Sequence, residues 1–373
     1  MKEAPAAEKR PSRGRTAGGA RGGRRDDRIR ELKASVNSAV RLFGSMGSNW
    51  SWRVAGSFLR YLFRKAVLRT PVPFYLSLAV TNRCQGRCVH CYSFLQRKEE
   101  RPELTTDELK SVIDQAARLG IFQIIFTGGE PLLRKDILEL IRHARRRGLL
   151  TRLNTNSLLL DGETAVALKK AGLNQCALSL DDADPETHDR MRGLPGHHAR
   201  TLESLNMLRD LGIYALANIY ISKRHLAAGP ERTIRLALEA GARGIVILPA
   251  VASGQWKEEF EQVPDAEGMA RIRDLQNLTT VQTELPTPRS VCDTLKKFVL
   301  YMTAQGDLTP CPFVPYAIGN LKEHPLDDMW RGYSGSVPAA NQGECPMNNL
   351  AGRALLQTVV ASAAERLREG AAR

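Results

Sequence analysis

Three cysteines fall within eight residues in Thr81-Asn82-Arg83-Cys84-Gln85-Gly86-Arg87-Cys88-Val89-His90-Cys91-Tyr92, spaced C-x3-C-x2-C. A structural zinc site takes four protein ligands, so three thiolates do not close one. Soft thiolates select iron–sulfur clusters and zinc over hard cations. A four-iron cubane held by three thiolates keeps one iron free for another ligand. Three further cysteines, Cys292, Cys311 and Cys345, lie in the last quarter of the chain. The seventh, Cys176, stands in the middle of an apolar run and reads as a small buried hydrophobe. Three short polar signatures separate the two groups: Thr127-Gly128-Gly129-Glu130-Pro131, Asn154-Thr155-Asn156-Ser157 and Ser179-Leu180-Asp181-Asp182.

These residues need a scaffold that brings them together. Apolar or β-branched runs at 74–80, 121–126, 150–154, 175–180, 214–221 and 244–248 predict strands. Helical patterns near 106–119, 135–147, 162–171, 200–211, 231–240 and 265–276 alternate with them. Six strand–helix repeats in series predict a parallel sheet with helices outside, a partial (β/α)6 TIM-like barrel of class α/β. Chemistry in such barrels sits at the C-terminal ends of the strands. The cysteine loop and all three polar signatures follow predicted strands.

The triple-cysteine loop after the first strand and Gly-Gly-Glu-Pro after the second resemble the radical S-adenosylmethionine (SAM) superfamily over about residues 73–248. His90 fills the position before the third cysteine where that family usually has an aromatic residue. The resemblance implies that Cys84, Cys88 and Cys91 hold a [4Fe–4S] cluster whose free iron is chelated by the amino and carboxylate groups of SAM. Electron transfer to the sulfonium then gives methionine and a 5′-deoxyadenosyl radical, which abstracts hydrogen from the substrate. It implies cofactor contacts from His90, Gly128, Gly129, Glu130, Asn156, Ser179 and Asp181. Glycines let the backbone approach a ligand closely, and Glu130 is suited to the SAM ammonium. Asn156 sits in a Thr-Asn-Gly-like position, with Ser157 in place of Gly. Loop capping remains the other reading of Asn156 and Asp181. His188-Asp189-Arg190-Met191-Arg192-Gly193 closes over the site through an arginine or is a loop of solvated charges.

Between Cys292 and Cys311 the pattern is C-x13-G-x4-C, with Gly306 in a predicted turn between strands at 297–304 and 308–311. This resembles the first half of the SPASM extension, or its shorter relative twitch. The later cysteine-rich portion is reduced to Cys345-Pro346-Met347. The departure implies one auxiliary iron–sulfur cluster on Cys292, Cys311 and Cys345. Its fourth iron is open to substrate or held by Asp293 or His324. The alternative is three unrelated thiols in a cluster-free lid. The expected organisation is a disordered basic arm (1–27), an amphipathic helical segment (28–70), the barrel (71–280), the auxiliary subdomain (281–350) and a C-terminal helix (351–373).

The chain of 373 residues carries a net charge of +14. Residues 1–30 contribute +6, residues 31–50 +1 and residues 51–70 +5, leaving the body nearly neutral. Arg53, Arg60 and Arg64 make a basic stripe beside Trp52, Ala55, Leu59, Leu62, Phe63 and Ala66. This stretch predicts a helix packed on the main domain with its arginines in water. The alternative is an interfacial helix in peripheral contact with a membrane. The odd cysteine count and the lack of a signal or membrane-spanning run point to the cytoplasm. The expected partners are SAM, a reductant such as flavodoxin or ferredoxin, and a substrate that is a small metabolite, a lipid-like molecule or a peptide. No specific nucleic-acid binding is expected, because the motif-bearing body is not basic. The rival readings are a zinc-binding nucleic-acid-associated protein and a catalytically silent relative.

Overall fold

A helix, α1 (Trp52–Ala66), precedes the first strand, β1 (Tyr75–Thr81). The chain then alternates through α2 (Thr106–Leu119), β2 (Gln123–Gly128), α3 (Ile137–Arg146), β3 (Leu150–Thr155), α4 (Gly162–Ala171) and β4 (Gln175–Ser179). Next come α5 (Pro185–Arg192), α6 (His197–Asp210), β5 (Tyr214–Ile221), α7 (Lys223–Ala228), α8 (Glu231–Glu239) and β6 (Gly244–Pro249). These positions come from a computed structural model that describes residues 51–93, 101–276, 281–283, 297–336 and 345–371. The expected basic arm (1–27), residues 28–50, Cys292 and Asp293 lie outside the described residues.

Strands β1 to β6 pair in chain order and in parallel. Parallel strands covered on both faces need near-continuous apolar sequence, which is why these six runs are legible. Alternate residues such as Leu76, Leu78, Ile124, Phe126, Leu153, Cys176, Leu178, Ile219 and Ile247 join one core with the outer helices. The other set faces the barrel lumen, which is partly polar. There Gln123 Nε2 donates to Gln175 Oε1 at 3.0 Å, and Arg152 Nη2 donates to Asn218 Oδ1 at 3.0 Å.

Beyond β6 come α9 (Ala266–Gln276) and β7 (Val281–Thr283), which lies parallel to β6. At the opposite edge β8 (Val299–Met302) lies parallel to β1, and β9 (Asp307–Thr309) and β10 (Gly319–Asn320) continue antiparallel. The expected C-terminal hairpin therefore extends the barrel sheet and is not a detached lid. Helices α10 (Leu326–Ser336) and α11 (Leu350–Ala371) pack together behind it. The segment from 188 to 193, open above to a loop reading, lies mostly in α5. Asp184 caps α5 by accepting from the Thr187 N–H, and Pro185 opens its first turn. Helix α7 and strand β7 have no counterpart among the predicted elements, being only six and three residues long.

Helix α1 packs on the body as expected, but through a different face. Val54, Ser57, Phe58 and Tyr61 are buried. Phe58 meets Phe122 edge-on at 5.1 Å, and Tyr61 meets Phe74 at 5.2 Å. Trp52, Leu59 and Phe63, expected on the packed side, are exposed. Nor are all the arginines left to water. Arg64 Nη1 donates to Leu119 O at 2.7 Å, and Arg53 Nη1 to Arg146 O at 3.2 Å. Those carbonyls end α2 and α3, where a cation also meets the negative end of the helix dipole. Phe58→Ala is expected to cost about 3 kcal/mol, as deletion of a buried aromatic does. Urea unfolding of the metal-free chain measures it. A cost below about 1 kcal/mol would show that α1 is not held by this face.

Candidate active site

The cysteine loop leaves the C-terminal end of β1 and is gripped by backbone from three other elements. Gly129 N donates to Thr81 O at 2.7 Å, and Glu130 N to Arg83 O at 2.8 Å. Arg87 N and Val89 N donate to Arg192 O and Met191 O at the end of α5. Gln255 N, in the loop after β6, donates to Cys91 O at 3.1 Å. The approach is close enough to require glycine. A Cβ at Gly129 would overlap the Arg83 carbonyl, and one at Gly254 the Cys91 carbonyl. Gly254 also has a φ of +62°, in the left-handed region.

Cys84, Cys88 and Cys91 are half-buried thiols on this loop. Asn156 Nδ2 lies 3.8 Å from Cys84 Sγ, and Arg192 Nη1 lies 3.8 Å from Cys88 Sγ. Gly86 N donates to Cys84 Sγ at 3.3 Å. Burial pushes the Cys84 and Cys88 thiols up, and at Cys88 the Arg192 guanidinium opposes that shift. Among the described residues no three His, Cys, Asp or Glu side chains converge on a single-ion site. Three soft donors on one loop, with N–H groups facing two sulfurs, fit a cluster and its outer hydrogen bonds.

Glu130 is fully buried. Its Oε1 accepts from the Thr155 hydroxyl at 2.7 Å and Leu132 N at 3.0 Å, and its Oε2 accepts from Asn156 N at 2.7 Å. A carboxylate has about four acceptor sites, so Oε2 retains capacity for one more donor. Burial pushes this carboxyl up against those three donors. Gly128 and Gly129 serve first to bring β2 against the cysteine loop. Ser157 adopts a φ of +64°, the conformation for which glycine is favoured. Its N–H reaches Thr155 Oγ1, and its hydroxyl meets Thr201 Oγ1 at 3.0 Å.

Asp181, just past β4, is buried and held by Arg192 in a two-pronged ion pair at 2.6 and 2.8 Å. Tyr220 N also donates to it, and His90 Nε2 lies 3.7 Å away. Burial disfavours the charge on Asp181, yet the Arg192 guanidinium together with His90 and His188 more than offsets burial and holds the carboxyl well below the usual range. His90 stacks on Tyr220 at 4.2 Å and stands edge-on to Trp256. Ser179 ends β4 on the lumen face, half-exposed.

Sequence reasoning did not single out His197, and it left His188 and Arg192 open. Asp181 N donates to His188 Nδ1, which leaves the proton on Nε2 to bond His197 Nδ1 at 2.6 Å. His197 Nε2 then donates to Asn156 O. Two neutral imidazoles in fixed tautomers thus tie the β4 loop to the β3 loop. No short sequence pattern marks such a link, because α5 and α6 must fold before the rings meet.

Cys311 and Cys345 come together in a second buried cluster with Val251, Phe313 and Met347. Tyr92, next to Cys91, meets Phe313 edge-on at 5.5 Å. The loop after β6 touches both cysteine groups. Ser253 Oγ donates to Phe313 O at 2.7 Å, and Ala252 N to Asn348 Oδ1 at 3.2 Å. His324 follows β10 at the turn end of the hairpin, whereas Cys311 leaves its other end.

Two outcomes are expected. Gly254→Ala lowers the iron bound by anaerobically purified protein, whereas Gly162→Ala, at a glycine with open space around it, leaves it unchanged. Equal iron in both would remove Gly254 from the support of the loop. Burial pushes His188 down to about 3. The unfolded chain protonates this ring below about pH 6.5 while the folded chain does not. His188 therefore contributes stability that is intact above about pH 6.5 and lost as pH falls toward 3, by up to about 1.4 kcal/mol per pH unit. Urea unfolding between pH 7 and 5 is expected to show a flatter pH dependence in His188→Gln; an unaltered slope would contradict it.

Residues 78–237 match the model of the radical SAM superfamily, and residues 292–334 match that of SPASM, an iron–sulfur cluster-binding domain. The chain is 30% identical over 293 residues to an AdoMet-dependent heme synthase of Methanosarcina barkeri, spanning 71% of this chain and 84% of the synthase. It is 37% identical over 171 residues to a PqqA peptide cyclase of Rhodopseudomonas palustris, spanning 46% of this chain and 45% of the cyclase. Its fold is shared with Streptococcus suis SuiB bound to precursor peptide SuiA, at a TM-score of 0.58, 18% identity and coverage of 73% and 68%. The chain belongs to the radical SAM superfamily: it is a radical SAM enzyme with a SPASM-type C-terminal region, and its cofactors are a [4Fe–4S] cluster with SAM and auxiliary iron–sulfur.

Proposed function

We propose that Cys84, Cys88 and Cys91 carry the SAM-binding cluster, that Cys292, Cys311 and Cys345 carry one auxiliary cluster, and that a substrate held in the barrel lumen loses a hydrogen atom. The observation that carries this reading is the loop after β6, which hydrogen-bonds to Cys91 O and to the elements holding Cys311 and Cys345. With SAM bound, the cluster supplies one-electron reductive cleavage of SAM to a 5′-deoxyadenosyl radical. The chain's own groups prepare the site. Arg192 and Asn156 direct N–H groups at two of the ligand sulfurs, which tunes a cluster toward easier reduction. Asp181 holds Arg192 in place and keeps its own charge. Burial holds His90 neutral, and Tyr220 and Trp256 wall its ring from water. Arg152 and Asn218, bonded to each other midway along β3 and β5, make the lumen below the cysteine rim polar.

The long alignment with the heme synthase makes an iron tetrapyrrole the first substrate to test, with flavodoxin or ferredoxin as electron donor. The peptide cyclase, aligned over the barrel, makes a peptide the second.

Anaerobically reconstituted protein is expected to hold about eight irons per chain, as two four-iron clusters require. Under dithionite it is expected to convert SAM to methionine and 5′-deoxyadenosine. Cys84→Ala abolishes that conversion. A Cys311→Ala/Cys345→Ala double variant falls to about four irons and keeps it. Four irons in the unaltered protein would remove the auxiliary cluster, and turnover by Cys84→Ala would overturn the assignment.

A further inference from the structure

Helix α1 has three faces, and the described residues of the fold use only two. Val54, Phe58 and Tyr61 enter the core. Arg53 and Arg64 reach the ends of α3 and α2. The third face is the apolar stripe of Trp52, Leu59, Leu62 and Phe63, continued by Val67 and Leu68. Trp52 is 74% exposed, Leu59 63% and Phe63 54%. A helix lying on a soluble body ordinarily turns its largest apolar residues inward. A contiguous apolar patch left outside marks an interaction surface.

Charge identifies what covers it. Residues 51–70 carry Arg53, Arg60, Arg64, Lys65 and Arg69 and no acidic residue. Arg60 and Arg69 are themselves exposed, Arg60 with Nη2 donating to Ser57 Oγ at 3.2 Å, whereas Lys65 turns to the packed face and donates to Tyr61 OH at 3.3 Å. Indole, phenyl and aliphatic groups edged by cations are complementary to a bilayer with anionic headgroups, where the apolar groups enter the acyl boundary and the cations stay with phosphate. Among the described residues no helix is long and apolar enough to cross a membrane, so α1 can meet a bilayer only at its surface. We propose that α1 seats the enzyme on an anionic phospholipid surface through the Trp52–Leu59–Phe63 stripe. The inference stands apart from the reaction, since none of these residues touches the cysteine loop's described partners.

The test is co-sedimentation of the full-length, iron-loaded enzyme with phosphatidylcholine vesicles, with and without phosphatidylglycerol. Binding is expected on the anionic vesicles, to be weak on pure phosphatidylcholine, and to fall with added salt. Leu59→Ser/Phe63→Ser is expected to lower partitioning at least about tenfold. Arg60→Gln and Arg69→Gln lower it about fivefold each. Iron content and SAM cleavage stay unchanged in all of them, which shows that they fold. Wild-type binding by the Leu59/Phe63 variant would overturn the proposal and leave the anchor to the basic residues 1–50. So would a lack of vesicle binding, with or without a concentration-dependent dimer that Phe63→Ser abolishes; that dimer would assign the stripe to a second copy of the chain.

Discussion

The site depends on one constraint: the backbone of the cysteine loop is packed against other backbone with no space for side chains. Gly129 lies against Arg83 and Gly254 against Cys91. The last turn of α5 supplies two carbonyls to the same loop. Three chain segments far apart in sequence therefore fix the directions of three thiols. The parallel sheet makes this possible, because it delivers the C-terminal ends of β1, β2 and β6 to one rim. A loop held only by its own turns would leave the sulfurs free to wander, and a cluster would have to order them at its own entropic cost.

Electrostatics reinforces the grip. Asp181 and Arg192 are both buried, and such pairs persist only with good geometry and further hydrogen bonds. Here Arg192 Nη2 donates to Asp181 Oδ1, its Nε lies 2.6 Å from Oδ2 and its Nη1 turns toward Cys88 Sγ, while Tyr220 N also donates to Oδ1. The pair therefore ties α5, β4 and β5 to the Cys88 sulfur. The His188–His197 link ties the same β4 loop to Asn156. Both links thus hold the groups that face the cysteine sulfurs, Arg192 at Cys88 and Asn156 at Cys84.

Much of the barrel was legible because buried parallel strands are written as unbroken apolar runs, and the thiol spacing is a local pattern. The rest depended on partners distant in sequence. Helix α1 offers two apolar arcs, and periodicity ranks the wrong one first. The aromatic surface of Phe74 and Phe122 selects the arc with Phe58 and Tyr61, and neither ring is visible from α1 itself. Helix α5 is short and charged, so its polarity hid the helix and left an arginine over the site and a loop of solvated charges as equal readings of residues 188–193. Gly254 sits in an unremarkable loop, and only the approach of Cys91 gives it meaning. Ser157 departs from the family's glycine yet keeps the glycine's backbone conformation, with its own hydrogen bonds opposing the strain.

As proposed above, the trio of sulfurs leaves one iron for SAM. Electron paramagnetic resonance of the dithionite-reduced protein tests it most directly. The expected result is a reduced-cluster signal that changes shape when SAM is added and that is missing from a Cys88→Ala variant. A spectrum indifferent to SAM, or a SAM-sensitive signal surviving in that variant, would contradict it.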